Sequence, residues 1–165
     1  NEYRPLLHEA GYQGYYAGKT TTPPRRAALA ITFTHPNIAT VGLSFKKLSS
    51  LKKDFVIGSV DFKDQGRALT RLQNEGKLNL YVEKKTGLIL GSELFCPGGE
   101  HLAHLLAWSI LKKSTVQQLV NYPFYHPTLE EGLETAIKDA LRKLKTKKTA
   151  QIRGQIRGQS QNQGR

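Results

Sequence analysis

Methionine is absent from the 165 residues, and cysteine occurs once, at Cys96. A single thiol excludes an internal disulfide, and there is no thiol cluster that could hold zinc or an iron–sulfur group. This usage suits a reducing compartment, so the cytoplasm is the expected location. No apolar run approaches the roughly 20 residues that span a bilayer, and a membrane partner is not expected. The opening Asn1-Glu2-Tyr3-Arg4-Pro5 has neither an initiator Met nor a signal-like apolar stretch, and we read it as a start inside a longer product. Neither Gly-x-Gly-x-x-Gly nor a Walker phosphate loop occurs, so the sequence carries no nucleotide fingerprint.

The residues that are present, 38% hydrophobic and 23% charged, suit one soluble globular core. Charge is distributed unevenly. From Lys138 to Arg165 nine Lys or Arg face a single acid, Asp139, so +8 of the formal +12 lies in the last 28 residues. The Gln-Ile-Arg-Gly repeat at Gln151 and Gln155 has no periodic apolar face to offset ordering entropy, and residues 146–165 are expected to form a basic, disordered tail. That tail lacks aromatic residues for base stacking, so nothing beyond nonspecific attraction to nucleic acid is expected.

Pro5 to about Ala17 reads as a short helix with Pro in its first turn, and Pro23-Pro24 marks a linker. Residues 1–26 therefore form one unit, set apart from a domain over 27–145. Ala28 onward turns β-branched, and His35-Pro36-Asn37 separates two strands. Ser44 is placed to cap a short helix, and Phe55 to Phe62 alternates like a half-buried strand. Gly76 to Glu83 and Leu88 to Phe95 form a hairpin through Lys85-Thr86-Gly87. Helical spacing takes over at Leu102, Leu105, Leu106 and Ile110. Thr115 with Gln118, and Thr128 with Glu131, have capping-box spacing. The second pair opens a helix carrying Leu129, Leu133, Ala136, Ile137, Ala140 and Leu144 on one face. Strands followed by helices indicate an α+β fold, an antiparallel sheet of about four or five strands with helices packed on it.

One segment has chemical content: Pro123-Phe124-Tyr125-His126-Pro127-Thr128-Leu129-Glu130-Glu131. The carboxylate of Glu131 can accept from one nitrogen of the His126 ring, fixing the tautomer and leaving the other nitrogen as a base. His126-Pro127 also suits a cis peptide bond. Local spacing alone favours a plainer alternative, an ordinary capping box after an ordinary turn.

Several phrases of the sequence resemble the C-terminal dimerisation domain of class I pyridine nucleotide-disulfide oxidoreductases. They are Thr34-His35-Pro36-Asn37-Ile38-Ala39-Thr40-Val41-Gly42-Leu43, Gly66-Arg67-Ala68, the Lys77 to Gly91 hairpin, and His126-Pro127-Thr128-Leu129-x-Glu131. They occur in order from about Pro5 to Leu141, and within the family they are most like an atypical dihydrolipoamide dehydrogenase. The resemblance implies an FAD/NAD-linked reductase dimerisation-domain fold and a homodimer. His126 would be the base for a redox dithiol on the partner subunit, with Glu131 orienting it. It also implies that residues 1–26 are the end of the FAD domain's last helix and a linker. Pro5, Leu6, Leu7 and His8 would then be flavin neighbours, with Pro127 beside the base. FAD and NAD(P) would belong to the parent enzyme, neither bound tightly by this chain alone. Without the cysteine pair and the nucleotide fingerprints, the chain would supply a base lacking its nucleophile and would not turn over. Phe124-Tyr125 stands where a further His is common, which leaves lipoamide or another disulfide as substrate.

The alternatives are the same domain from a mercuric, glutathione or transhydrogenase-like flavoenzyme, or a noncatalytic interaction module with a basic tail. His101 and His104 share a helix face, but two imidazoles without a third ligand read as structural or solvated. Cys96 reads as a small core residue.

Overall fold

The structure, a computed structural model, describes residues 6–24 and 26–162, with side chains described as far as 146. Helix α1 (Leu7–Gly18) precedes β1 (Leu29–Thr32), β2 (Asn37–Gly42), α2 (Phe45–Ser50) and β3 (Phe55–Asp61). A 3₁₀ turn (Phe62–Asp64) and α3 (Gly66–Thr70) lead into the hairpin of β4 (Lys77–Glu83) and β5 (Ile89–Cys96). α4 (Gly99–Leu111), α5 (Val116–Leu119) and α6 (Glu130–Asn162) follow. The five strands form one antiparallel sheet in the order β1-β2-β5-β4-β3. The expected α+β class and strand number are therefore what the chain adopts.

Period-two alternation decides which face of the sheet is covered. Ala39 and Val41, Val56 and Val60, Leu78, Leu80 and Val82, and Leu94 and Cys96 point to one side and are buried with Leu102, Leu106, Leu133 and Ile137 of α4 and α6. A bulge between Tyr81 and Val82 restores that alternation near the hairpin, pairing Tyr81 with Gly91 and Val82 with Ile89. On the opposite side Ile38 and Phe95 remain exposed. Near α2, Tyr81 packs edge-on against Phe55, which meets Phe45 in the same way. There the Tyr81 hydroxyl donates to Glu93, and burial, followed by that carboxylate, raises its pKa far above the ordinary phenol value.

α6 is bound to the sheet by its sequence. Leu129, Leu133, Ala136, Ile137 and Ala140 are all buried, spaced as one helix face. A Cβ on Gly58 would lie 2.2 Å from the Ala136 carbonyl oxygen, so only glycine lets the helix approach β3 this closely. β3 is an edge strand, and α6 occupies its open hydrogen-bonding groups: the Ser59 amide donates to Asp139 Oδ2 at 3.0 Å, and Lys143 Nζ donates to the Ile57 carbonyl at 2.7 Å. Burial pushes the Asp139 carboxyl up, but hydrogen bonds from Lys143, Ser59 and Arg142 outweigh it and hold the group below the usual aspartate range.

α6 continues as helix to Asn162, whereas the sequence places the end of ordered chain near Lys145. Among the residues whose side chains are described, Leu144 is the last apolar one of α6 packed against the core. Lys, Ala, Gln and Arg beyond it have adequate intrinsic helix propensity, so the backbone continues helically where the sequence shows no apolar stripe to pack.

Candidate functional site

The candidate site lies where the loop after α5 enters α6. The His126–Pro127 peptide is cis, as is His35–Pro36. His126 Nδ1 lies 2.9 Å from Glu131 Oε1. The other carboxylate oxygen, Oε2, accepts from the Thr128 amide at 2.9 Å. This is the carboxylate half of the expected capping box; the Thr128 hydroxyl instead donates to the Tyr125 carbonyl at 2.7 Å. At the α5 start, Thr115 and Gln118 form the complete box.

Glu131 is held by packing as well as by hydrogen bonds. A Cβ on Gly132 would lie 2.9 Å from the Phe62 ring, so the missing side chain seats the first turn of α6 directly on that buried phenyl. The imidazole hydrogen bond, then the Thr128 amide, lowers the Glu131 carboxyl below the ordinary glutamate value. The His126 side chain remains 80% exposed and that of Glu131 28%. With Nδ1 committed to the carboxylate, Nε2 is the ring nitrogen left to exchange a proton with an outside group. Tyr125 beside it is also exposed.

The α1 residues are not brought to this loop. Pro5 lies outside the described residues. Leu6 precedes the helix without a side-chain cap, and its carbonyl accepts from the Glu9 and Ala10 amides. Leu7 is 91% exposed, and His8 Nε2 lies 3.4 Å from Glu9. α1 has no buried residue, and among the described residues no hydrogen bond or ring contact joins it to His126. Pro127 is exposed within the site loop.

The remaining histidines are elsewhere. His104 Nδ1 is 2.7 Å from the Glu100 carbonyl, and His101 Nε2 is 3.7 Å from the Glu100 carboxylate. Among the described residues no group of three His, Cys, Asp or Glu is placed to share a metal ion. Cys96 is fully buried; burial, with Glu100 adding to it, pushes its thiol up to about 12. That is the opposite of what a nucleophile needs. Among the described residues no helix is long and apolar enough to cross a membrane.

One residue at the site was not anticipated. Gln65 precedes α3, and its Nε2 donates to the Thr128 carbonyl at 2.6 Å while its Oε1 accepts from the Ala68 amide at 2.7 Å. Gly66-Arg67-Ala68 signals the neighbourhood, but glutamine is outside the usual capping residues and its partner is 63 positions away.

Comparison with known proteins places the chain in a family. The family described as "Pyridine nucleotide-disulphide oxidoreductase, dimerisation domain" matches residues 29–137. Dihydrolipoyl dehydrogenase of Halobacterium salinarum is 30% identical over 131 residues, covering 76% of this chain and 28% of that protein. The Synechocystis dihydrolipoyl dehydrogenase is 32% identical over 135 residues, with the same shares. Mercuric reductase of Shewanella putrefaciens is 30% identical over 103 residues, 62% of this chain and 18% of that protein. The crystal structure of LpdA from Mycobacterium tuberculosis superposes with a TM-score of 0.74 at 22% identity, over 84% of this chain and 31% of that one. The chain thus spans under a third of the length of these relatives.

Proposed function

The chain belongs to the pyridine nucleotide-disulphide oxidoreductase dimerisation-domain family, and on that footing we propose that it serves a dihydrolipoamide dehydrogenase-like flavoenzyme by pairing two subunits and presenting His126 to the partner's redox dithiol. The domain proper covers 27–145. Residues 1–26 are the end of a flavin-domain helix with its linker, and 146–165 are a basic extension. One observation carries the reading: an imidazole tied at Nδ1 to Glu131 that nevertheless projects into solvent. A base serving its own core would be enclosed by it; this one is oriented and left open toward another surface.

The chemistry follows from the free nitrogen. Nε2 takes a proton from one thiol of the incoming dithiol, and the resulting thiolate attacks a sulfur of the partner's disulfide. A mixed disulfide forms as the second sulfur leaves with the electron pair of the broken S–S bond. Glu131 fixes the ring orientation and stabilises the imidazolium while it holds the proton. Dihydrolipoamide fits as the dithiol, leaving as lipoamide once the second sulfur closes the ring, and other small dithiols fit the same chemistry.

A flavin edge fits the start of α1, whose first amides have no side-chain cap and lie beside the exposed Leu7. Pro5, Leu6, Leu7 and His8 would lie along it, and Pro127 would approach from the other subunit. The bound flavin supplies two-electron exchange with the dithiol. Separation of α1 from the His126 loop within one chain supports the two-subunit arrangement. NAD(P) would be held by other parts of the parent.

In the full-length flavoenzyme, His126→Ala should lower dithiol turnover by about 10²–10⁴-fold while the dimer persists. Turnover at the unsubstituted rate would remove His126 from the mechanism.

A further inference from the structure

We infer that Gln65 is a positioning residue for the His126–Glu131 pair, tying the start of α3 by a hydrogen bond to a segment whose other bonds, among the described residues, stay within itself and α6. The inference rests on the reading of His126 as the working base. Thr128 is the element through which it acts. Its amide donates to Glu131 Oε2, its hydroxyl donates to the Tyr125 carbonyl, and Glu131 Oε1 meets His126 Nδ1. Among the described hydrogen bonds of residues 125–131, these join members of the same short segment, and those of the Gly132 amide to the Leu129 carbonyl and of the Thr135 hydroxyl to the Glu131 carbonyl run only into α6. The exception is the bond from Gln65 Nε2 to the Thr128 carbonyl.

The orientation of the Gln65 amide is fixed by its surroundings. Ala68 presents an amide hydrogen, which needs an acceptor, and Thr128 presents a carbonyl, which needs a donor. A flipped side chain would set donor against donor and acceptor against acceptor, so only one orientation satisfies both. Gln65 therefore joins the helix start at Gly66-Arg67-Ala68 to the base loop. Its two roles reside on two atoms, Oε1 for the α3 cap and Nε2 for the tie.

That division makes a positioning role separable from a structural one. Gln65→Asn keeps a good capping side chain, but it is one methylene shorter and gives up the reach to Thr128. Glu131 reports the result, since its carboxyl is lowered chiefly by the His126 hydrogen bond and then by the Thr128 amide, against the raising effect of burial. We expect its ¹³C-detected titration midpoint in Gln65→Asn to rise, because a loosened Thr128 amide stabilises the carboxylate less. Exchange of the Thr128 amide should quicken several-fold. The Ala68 amide should stay protected, and Asp139, farther along α6, should titrate as before. Gln65→Met, lacking both functions, should move Glu131 at least as far. Unmoved Glu131 and Thr128 signals in both variants overturn the inference. A His126→Ala arm separates this from failure of the underlying reading: if removing the imidazole leaves the Glu131 midpoint in place, the pair itself fails, and Gln65 then positions nothing.

Discussion

His126 Nδ1 lies 2.9 Å from Glu131 Oε1, yet the imidazole keeps 80% of its side-chain surface in solvent. A charge-assisted bond of this length orients a ring, and among the described residues no other hydrogen-bond partner meets the ring on its working side. Both residues belong to one short stretch of chain, so the pair is assembled by the α6 start itself.

Glu131→Gln keeps the size of the side chain and an oxygen for the Thr128 amide, but removes the charge that balances an imidazolium. Turnover of the full-length enzyme should fall roughly ten- to a hundred-fold, less than the ~10²–10⁴ expected for loss of the base. Steady-state assays of both variants side by side check that order.

The lowered Glu131 carboxyl also makes a statement about stability. Its folded pKa lies below the ordinary value of 4.5, so the pairing stabilises the fold fully above that value and is lost as pH falls through the folded value. Chemical denaturation of the native chain and Glu131→Gln from pH 7 to pH 3, about the range over which carboxylates titrate, should give a constant difference at the upper end that shrinks at the lower end. A difference that grows on acidification would contradict the assignment.

Contact between β3 and α6 should be intolerant of added atoms. In Gly58→Ala the new methyl meets the Ala136 carbonyl oxygen at 2.2 Å and the Ala140 methyl at 2.8 Å, and overpacking of this kind costs about 1–3 kcal/mol. Leu133→Ala removes buried side-chain atoms from the same seam and should cost about 2–5 kcal/mol. Urea denaturation of the two variants measures both.

Amide exchange along α6 tests where ordered packing ends. Protection should follow the buried face through Ala140 and Leu144, and fall steeply beyond Thr146, where the sequence turns to Lys, Gln, Arg and Gly. Equal protection as far as Asn162 would mean that the basic extension is held by something besides its own propensity.

These outcomes also indicate which parts of the molecule were legible in the sequence. The β4–β5 hairpin was readable because Lys85-Thr86-Gly87 carries its own turn chemistry, and Gly87 adopts a positive φ of 76° there. The His126–Glu131 pair was readable because its members lie only five positions apart. Gln65 and Asp139 were not, since their partners lie 63 and 80 positions away and only the fold brings them together. α6 was legible for as long as its apolar face lasted. The cis bond at His35–Pro36 had no sequence signal beyond the proline itself.

The central claim is that the imidazole of one subunit serves the dithiol of the other, and subunit mixing tests it most directly. Full-length subunits carrying His126→Ala would be co-assembled with equal amounts of subunits whose redox cysteines are replaced by serine, each variant being inactive alone. If the base crosses the two-fold axis, every hybrid dimer contains one intact site, and the mixture should recover about a quarter of native turnover. No recovery in a mixture shown to contain hybrids would place base and dithiol in the same subunit and contradict the account.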